Sequence, residues 1–319
     1  MSTRINTNTT AAEAAYHLSI NSSNVSKNIE RLSSGLRINS AADDASGLVI
    51  SESLRAQSAG LTQATRNTND AINVVKTAEG ALNEVHTLLI NIRQLVVHAA
   101  NVGANDTAAR TADQKAIAQA VNSIDRIAST TQFNNKNLLD GSASATAPAA
   151  GPITNSGPLL FQVGANGGQT VKVDIKSTHS ADVGVATAYT KADGTAGTLT
   201  GASLSQLGGT GTPALNVADA TDTTGDNAQK ALAIVDKAIS DISDTRGSLG
   251  AIQSSELESN VRSLAVAQQN TDASESTIRD TDLSSEIVNF TKNQILVQAG
   301  TSALAQANQA PQAILKLLQ

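Results

Sequence analysis

Residues Ile50–Ala99 read ISESLRAQSAGLTQATRNTNDAINVVKTAEGALNEVHTLLINIRQLVVHA. Through them an apolar stripe recurs in an unbroken four-three rhythm. Its positions are Ile50, Leu54, Gln57, Leu61, Ala64, Thr68, Ala71, Val75, Ala78, Leu82, Val85, Leu89, Ile92, Val96 and Ala99. Only Gln57 and Thr68 depart from apolar character, and no proline interrupts the run. A period of 3.5 residues is the seam of a supercoiling helix that packs along its length against partner helices. At 1.5 Å per residue such a rod spans roughly 75 Å. In a chain of 319 residues this points to an elongated building block, not to a globule closed around a pocket.

Composition agrees with a helical rod. The chain has three Phe, two Tyr and no Trp, little of the bulk from which thick globular cores are made. Its apolar content is mainly Ala, Leu, Ile and Val, which suits close helix packing. A formal charge of -6 and a pI near 5.2, with no basic cluster, exclude a nucleic-acid partner from the expected roles. Without Cys there are no disulfides and no thiolate metal sites. The opening residues carry no apolar core of a secretory signal, and no stretch approaches the roughly 18–20 apolar residues of a membrane span. Neither a cleaved leader nor membrane insertion is expected.

Breakers concentrate in the middle. Residues 141–225 hold 14 of the 22 glycines, and residues 148–213 hold four of the five prolines, so the helices stop there. Within this segment Phe161 and Val163, then Val171, Val173 and Ile175, alternate with polar residues. Ala165-Asn166-Gly167-Gly168 between them supplies residues that tolerate positive φ, which predicts a β-hairpin. Val183–Tyr189 can form one or two further short strands. As an independent fold, this segment is marginal: small, Gly- and Thr-rich, and short of large apolar residues.

Both flanks are helical by pattern. Ala11, Ala15, Leu18, Ser22, Val25, Ile29, Leu32 and Leu36 repeat the four-three rhythm, and Gly35 marks a helix end. Ser40 with Asp43 has capping-box spacing, which predicts a new helix starting near 41–46. Asn101–Asp106 is a turn, followed by a helix through Ile117, Val121, Ile124 and Ala128. Beyond the middle, Ala228, Leu232, Val235, Ile239 and Ile242 resume the seam. The phase slips around Arg246–Gly250, and Leu257, Val261 and Leu264 continue it. A last helix carries Leu283, Ile287, Phe290, Val297, Leu304, Leu315 and Leu318, with a second stripe at Val288, Ile295, Ala299 and Ala303. Two stripes make a wide apolar arc that should touch more than one neighbour.

The two ends are weak helices. Residues 2–34 are crowded with Ser, Thr and Asn, which compete with the helical backbone, and the last helix carries many amides beside its arc. Packing must supply what propensity does not. The expectation is that both ends are largely unfolded in the monomer and become helical on pairing and assembly. The plainer alternative is an ordinary intramolecular coiled coil of the two ends.

Five separated motifs, in order, carry a family resemblance. Leu32-Ser33-Ser34-Gly35-Leu36-Arg37-Ile38-Asn39-Ser40-Ala41, followed by Asp43-Asp44-Ala45-Ser46-Gly47-Leu48, resembles the N-terminal signature of bacterial flagellin. Thr77–Leu82 and Phe133–Gly141 are similar to further stretches of that family, and Phe161–Gln169 resembles its hairpin. Leu304–Gln312, with the ending Leu315-Lys316-Leu317-Leu318-Gln319, resembles its C-terminus. The likeness spans residues 4–141 and 228–319.

The resemblance implies a mainly α protein that does no chemistry: an antiparallel helical bundle and coiled coil built from both ends, with a small β-hairpin-containing insertion. It implies five segments. Residues 1–40 and 279–319 are inner-tube helices, 41–141 and 226–278 form the central helical domain, and 142–225 is a solvent-facing variable region. Leu18, Val25, Ile29, Leu32, Leu36, Ile287, Phe290, Val297, Leu304, Leu315 and Leu318 would pack in the inner tube. Gly35, Arg37, Asn39, Asp43, Asp44 and Gly47 would connect the two shells; simple helix capping is the plainer role for Arg37, Asp43 and Asp44. The central seam would comprise Val75, Leu82, Val85, Leu89, Ile92, Val96, Val235, Ile239, Ile242, Leu257, Val261 and Leu264. The implied partners are further copies of the chain, the flagellar export chaperone and export apparatus, the filament cap and hook-associated proteins. Export would proceed unfolded, to the extracellular filament.

Two departures stand out. Asn135 lies where the family usually has Gly, and Asn tolerates the left-handed region. In members sensed by the vertebrate Toll-like flagellin receptor, the patch corresponding to Asn91-Ile92-Arg93-Gln94-Leu95 usually begins with Arg, and a Glu usual on the neighbouring helix corresponds to Ala116. Leu95 matches. Losing one charge from each helix predicts weak recognition. Catalytic readings fail on inventory: His17, His86, His98 and His179 form no HExxH and no i,i+4 pair, and there is no phosphate-binding Gly loop. No cofactor or metal is expected. Two alternatives stay open, the hook-filament junction protein of the same superfamily and a filament subunit whose middle carries a binding or enzymatic module.

Overall fold

The computed structural model describes residues 7–144, 157–191, 193–209, 215–219, 222 and 224–317. It is mainly helical, with small antiparallel strand pairs in the middle. In order come α1 (Thr9–Ser34), α2 (Ala45–Ala100), α3 (Thr107–Thr130), β1 (Gln132–Phe133), β2 (Lys136–Asn137), β3 (Leu159–Gln162), β4 (Thr170–Val173), β5 (Ala186–Thr190), β6 (Ala196–Ala202), α4 (Asp226–Ala251), α5 (Glu258–Arg279) and α6 (Leu283–Leu317). The residues group into two compact units, Gly60–Val266 and Met1–Ala59 with Ala267–Gln319.

The Gly60–Val266 unit is organised on the α2 stripe. From Leu61 to Ala99 every predicted seam position is buried, including Val75, Leu82, Val85, Leu89, Ile92 and Val96, and the sole polar member, Thr68, returns its hydroxyl to the Ala64 carbonyl at 2.8 Å. Ile117, Val121, Ile124 and Ala128 of α3 join the same core, as do Ala228, Ala231, Val235, Ala238, Ile242 and Leu249 of α4. The α4 seam therefore runs through Ala231 and Ala238. The expected Leu232 and Ile239 lie one residue away, half-buried against the core. Small residues at the closest approach let the helices come together while larger ones flank the contact.

The phase slip sits later than its predicted place. The seam continues through Thr245 and Leu249, and the irregularity is a π-helical stretch, Ile252–Leu257. A π turn inserts one residue, so the buried positions step eight residues from Leu249 to Leu257 and then resume at Leu264. Val261 is half-buried.

The Gly-rich middle is ordered by docking rather than by a core of its own. Strands β3 and β4 pair as the hairpin the alternation predicted, with Phe161 opposite Val171 and Leu160 opposite Lys172. Side-chain amides fasten it: Asn67 Nδ2 of α2 donates to the Gln162 carbonyl at 3.0 Å, and Asn260 Nδ2 of α5 to the Val163 carbonyl at 2.7 Å. Val173, Ile175, Val183, Leu204, Leu207 and Val217 are buried in the helical core. The buried Arg110 guanidinium of α3 grips the Val217 carbonyl through two nitrogens, at 3.1 and 2.6 Å. Gly184 lies against α4 with φ +74, where a Cβ would stand 2.7 Å from the Ile234 carbonyl. The β1–β2 turn places Asn134 and Asn135 at φ 46 and 65, so Asn135 does occupy a left-handed position.

In the other unit the first α2 positions depart by one residue from the predicted register on either side of Leu54, which is itself half-buried. Gly47 and Ser51 are buried and Ser58 half-buried, while Val49, Ile50 and Gln57 are exposed. The helix starts at Ala45, within the predicted 41–46, with Asp44 rather than Ser40 at its cap. Asp44 caps α2 by accepting from the Gly47 amide at 2.9 Å, and Asp43 closes the preceding turn by accepting from the Ser40 amide and hydroxyl.

Candidate functional site

Among the described residues no group of three or more His, Asp or Glu side chains is placed to hold a metal ion, and no helix is long and apolar enough to cross a membrane. The feature that stands out is the pairing of α1 with α6. Asn8 caps α1, accepting from the Ala11 amide at 3.0 Å, and its own side-chain amide reaches across to the Ala307 carbonyl at 2.8 Å. At the other end Gly35, at φ 72, turns the chain and donates to the Arg31 carbonyl at 2.8 Å. Residues 35–37 then run antiparallel to 279–281: Arg37 N donates to the Arg279 carbonyl at 2.6 Å and Thr281 N to the Gly35 carbonyl at 3.0 Å.

The contact faces follow a heptad, though not the one the apolar stripe suggested. On α1 the covered positions are Ala11, Ala14, Leu18, Asn21, Val25, Asn28 and Leu32. On α6 they are Glu286, Phe290, Asn293, Val297, Gly300, Leu304 and Ala307. Leu18, Val25, Leu32, Phe290, Val297 and Leu304 are thus in the seam as expected. Ile29 and Ile287 are not: they are 52% and 54% exposed, one residue beyond Asn28 and Glu286, which are 6% and 7% exposed. The predicted stripes, apolar but for Ser22, contain no amide or carboxylate, whereas the chain turns Asn21, Asn28, Asn293 and Glu286 inward. Half-buried Leu36 faces Asp280 across the turn. The side chain of Leu315 and all of Leu318 lie outside the described residues.

Large apolar side chains stay uncovered on both helices among exposed polar ones. Tyr16, Ile20 and Ile29 on α1 and Leu283, Ile287, Val288, Ile295 and Leu296 on α6 are all exposed. Single exposed apolar residues are ordinary, and eight of them on two paired helices are a feature to be accounted for.

The charged residues of the connecting turn are capping groups. The Arg37 guanidinium donates twice to the Ile278 carbonyl, at 3.1 and 2.6 Å, neutralising the end of α5. The Ser40 amide holds the Asp43 carboxyl below the usual range, and the Gly47 amide does the same for Asp44. Asn39 Nδ2 reaches the Ser34 hydroxyl at 2.9 Å. Gly47 has no room for a side chain, since a Cβ there would meet Asp44 and stand 2.7 Å from Ile38 Cδ1. A link the sequence did not reveal joins Arg279 Nη1 to Glu52 Oε1 at 2.7 Å; 227 residues separate them, and no local pattern announces such a pair.

In the Gly60–Val266 unit Asn91 and Ala116 are exposed and Leu95 is half-buried. Arg93 between them is engaged by Asp236, at 2.7 Å. Two histidines bind carboxylates: His98 Nδ1 lies 2.7 Å from Asp113, and His179 Nδ1 lies 3.4 Å from Asp125. Asp125 also accepts from the Ser180 amide at 2.7 Å and its hydroxyl at 2.8 Å. Burial would push the Asp125 carboxyl up, but the bonds from His179 and Ser180 bring it below its usual value. The Asp125 contact raises His179 against the effect of burial, helped by Asp182 and Asp140.

Comparison with known proteins bears on both helical flanks. Residues 5–144 match the bacterial flagellin N-terminal helical region, and residues 232–318 match the C-terminal helical region. The chain is 44% identical to a flagellin of Bacillus subtilis (strain 168), covering 99% of this chain and 100% of that protein. It is 40% identical to a flagellin of Halalkalibacterium halodurans and 40% identical to the flagellar filament 33 kDa core protein of Treponema phagedenis, in each case over 99% of both chains. Likeness over the whole length, with both end regions matched and the same helical flanks in the structure, places this chain in the bacterial flagellin family.

Proposed function

We propose that this chain is the repeating structural subunit of a bacterial flagellar filament, and that its ends complete their folding only as copies stack. The carrying observation is the set of large apolar side chains left bare on α1 and α6 after the two helices have paired with each other. An exposed surface of this kind is costly in a single chain and is relieved when neighbouring copies cover it. The pairing itself is thin, since the apolar seam residues are only half-buried, and two-helix contacts of this kind are marginal in water.

In this reading residues 1–40 and 279–319 build the inner tube, 41–141 and 226–278 build the next shell, and 142–225 faces solvent. Ile29 and Ile287 contact other copies rather than the chain's own partner helix. Gly35, Arg37, Asn39, Asp43, Asp44 and Gly47 form the connection between shells. Their capping bonds stiffen the turn that sets one shell against the other. Export unfolded under a chaperone, growth beneath a cap and contact with hook-associated proteins belong to the same reading, as does the absence of enzymatic activity. With one charge missing at Asn91 and one at Ala116, and Arg93 held by Asp236, the innate receptor binds weakly.

Electron microscopy after seeded polymerisation tests the proposal. Purified full-length chain added to short filament seeds extends them into long filaments, and seeds that stay short under all conditions would refute it. The junction-protein alternative predicts a chain that binds filament ends without extending them.

A further inference from the structure

We propose that the cluster of buried Asn28 and Glu286 with half-buried Asn293 is a built-in weak joint. It is compatible with the α1·α6 pairing but keeps that pairing loose in a single chain, so that the ends close firmly only when other copies surround them. The inference rests on the assembly-coupled folding proposed above and assigns its chemical cause to named residues.

The chemistry of the joint is unusual for a helix seam. Among the described side chains of α1 and α6, the only fully buried ones are polar: Asn28 and Glu286. With the Asn28 amide assigned so that its nitrogen faces acceptors and its oxygen faces donors, it donates to Glu286 Oε1 at 3.1 Å and to the Asn24 carbonyl at 2.9 Å. Its oxygen accepts from Asn293 Nδ2 at 3.2 Å and from the Phe290 amide at 3.0 Å. Both donors and both acceptor positions of the amide are used. This contrasts with the α2 seam from Leu61 to Ala99, whose one polar member is Thr68.

A satisfied buried polar cluster contributes less than apolar residues of similar volume, because each group is stripped of water before it is paired. Removing one partner is worse, since it strands the other. Buried polar residues in coiled coils often fix register, but register here is already set. The backbone bonds between 35–37 and 279–281 pin the two helices at one end, less than two turns from Glu286. What the cluster adds is a limit on strength.

The test compares the unsubstituted full-length chain with Asn28→Leu and with the double variant Asn28→Leu, Glu286→Leu. Amide hydrogen exchange is read over residues 9–34 and 283–309 of the dilute soluble chain, and thermal disassembly is read on seeded filaments. In the unsubstituted chain the end amides exchange with little protection. In the double variant protection rises by about tenfold or more, the lower part of the gain seen when buried ion pairs are replaced by apolar residues. Asn28→Leu alone disassembles at a lower temperature than either of the others, because it leaves the Glu286 carboxylate without its amide partner. End amides of the double variant exchanging as fast as those of the unsubstituted chain would overturn the joint. So would equal disassembly of the single and double variants. Strong protection already present in the unsubstituted soluble chain would instead refute the assembly-coupled folding on which the joint rests. An unchanged melting transition of residues 60–266 shows in each case that the fold is intact.

Discussion

Two truncations of similar size should have opposite consequences, because one side chain is covered by its own chain and the other is not. Leu89 is 0% exposed at the centre of the α2 seam, whereas Ile287 is 54% exposed on α6. Leu89→Ala removes three buried carbons, about 2.4 kcal/mol of transfer free energy at ~0.8 kcal/mol per methylene. The void left behind adds roughly 24 cal/mol per Å³, bringing the total to about 3–4 kcal/mol. For a domain of about 200 residues each kcal/mol lowers Tm by roughly 2–4 °C, so a fall of ~6–16 °C is expected. Ile287→Ala gives up less than half of its side-chain burial and should lower stability by at most ~1 kcal/mol. Thermal melting of the soluble chain, followed by far-ultraviolet circular dichroism, separates the two. Filament yield after seeding should rank them in reverse, with Ile287→Ala the more damaging to assembly while it leaves the melt nearly unchanged. A Leu89→Ala shift below ~2 °C would contradict the packed seam. An Ile287→Ala melt as low as that of Leu89→Ala would show that α6 is buried within a single chain.

Four further outcomes are expected. The His179–Asp125 contact should stabilise the soluble chain only between the two titrations. His179 is raised, so its contribution is full below about pH 6.5 and is lost as pH climbs through its folded value; Asp125 is lowered, so its contribution is present above about pH 3.8 and is lost as pH falls through its folded value. The melting difference between the unsubstituted chain and His179→Asn should therefore be largest near pH 5 and shrink as pH climbs above about 6.5 through the raised folded value of His179, and a flat difference would remove the pair from the account. Gly184→Ala forces a side chain into the left-handed region against the Ile234 carbonyl and should destabilise by roughly 1–3 kcal/mol, measured by urea titration. Leu36→Asp places a carboxylate opposite Asp280 in the connecting bridge, where like charges repel; seeded filaments should not form, while the melt of residues 60–266 stays as it was. Reporter cells carrying the vertebrate flagellin receptor should respond weakly, and a response equal to that of an enteric-type flagellin would show that Asn91 and Ala116 do not limit recognition.

Where one side of a helix is covered within the chain, sequence periodicity locates that side well. Leu61 to Ala99 is such a case: the apolar stripe and the buried stripe are the same residues. The docking of the Gly-rich middle was less legible. Alternation revealed β3 and β4, but Leu204, Leu207 and Val217 enter the core without any period, and the grip of Arg110 on the Val217 carbonyl spans 107 residues. The ends failed in a more instructive way. At Asn28 and Ile29, at Glu286 and Ile287, and at Ser51 and Ile50, the polar residue faces inward and its apolar neighbour faces out. A stripe read from sequence identifies what must be covered eventually, not what covers it. When the structure of one chain leaves that stripe bare and buries the polar positions beside it, the proposed assembly is what supplies the apolar pattern with a second partner. All three reversals fall in the unit formed by residues 1–59 and 267–319, and none falls on the α2 seam from Leu61 to Ala99. On α4 the seam also steps by one residue, but from Leu232 and Ile239 to Ala231 and Ala238, apolar to apolar; the exchange of apolar for polar is confined to the ends, where the proposed assembly keeps the apolar neighbours for other copies.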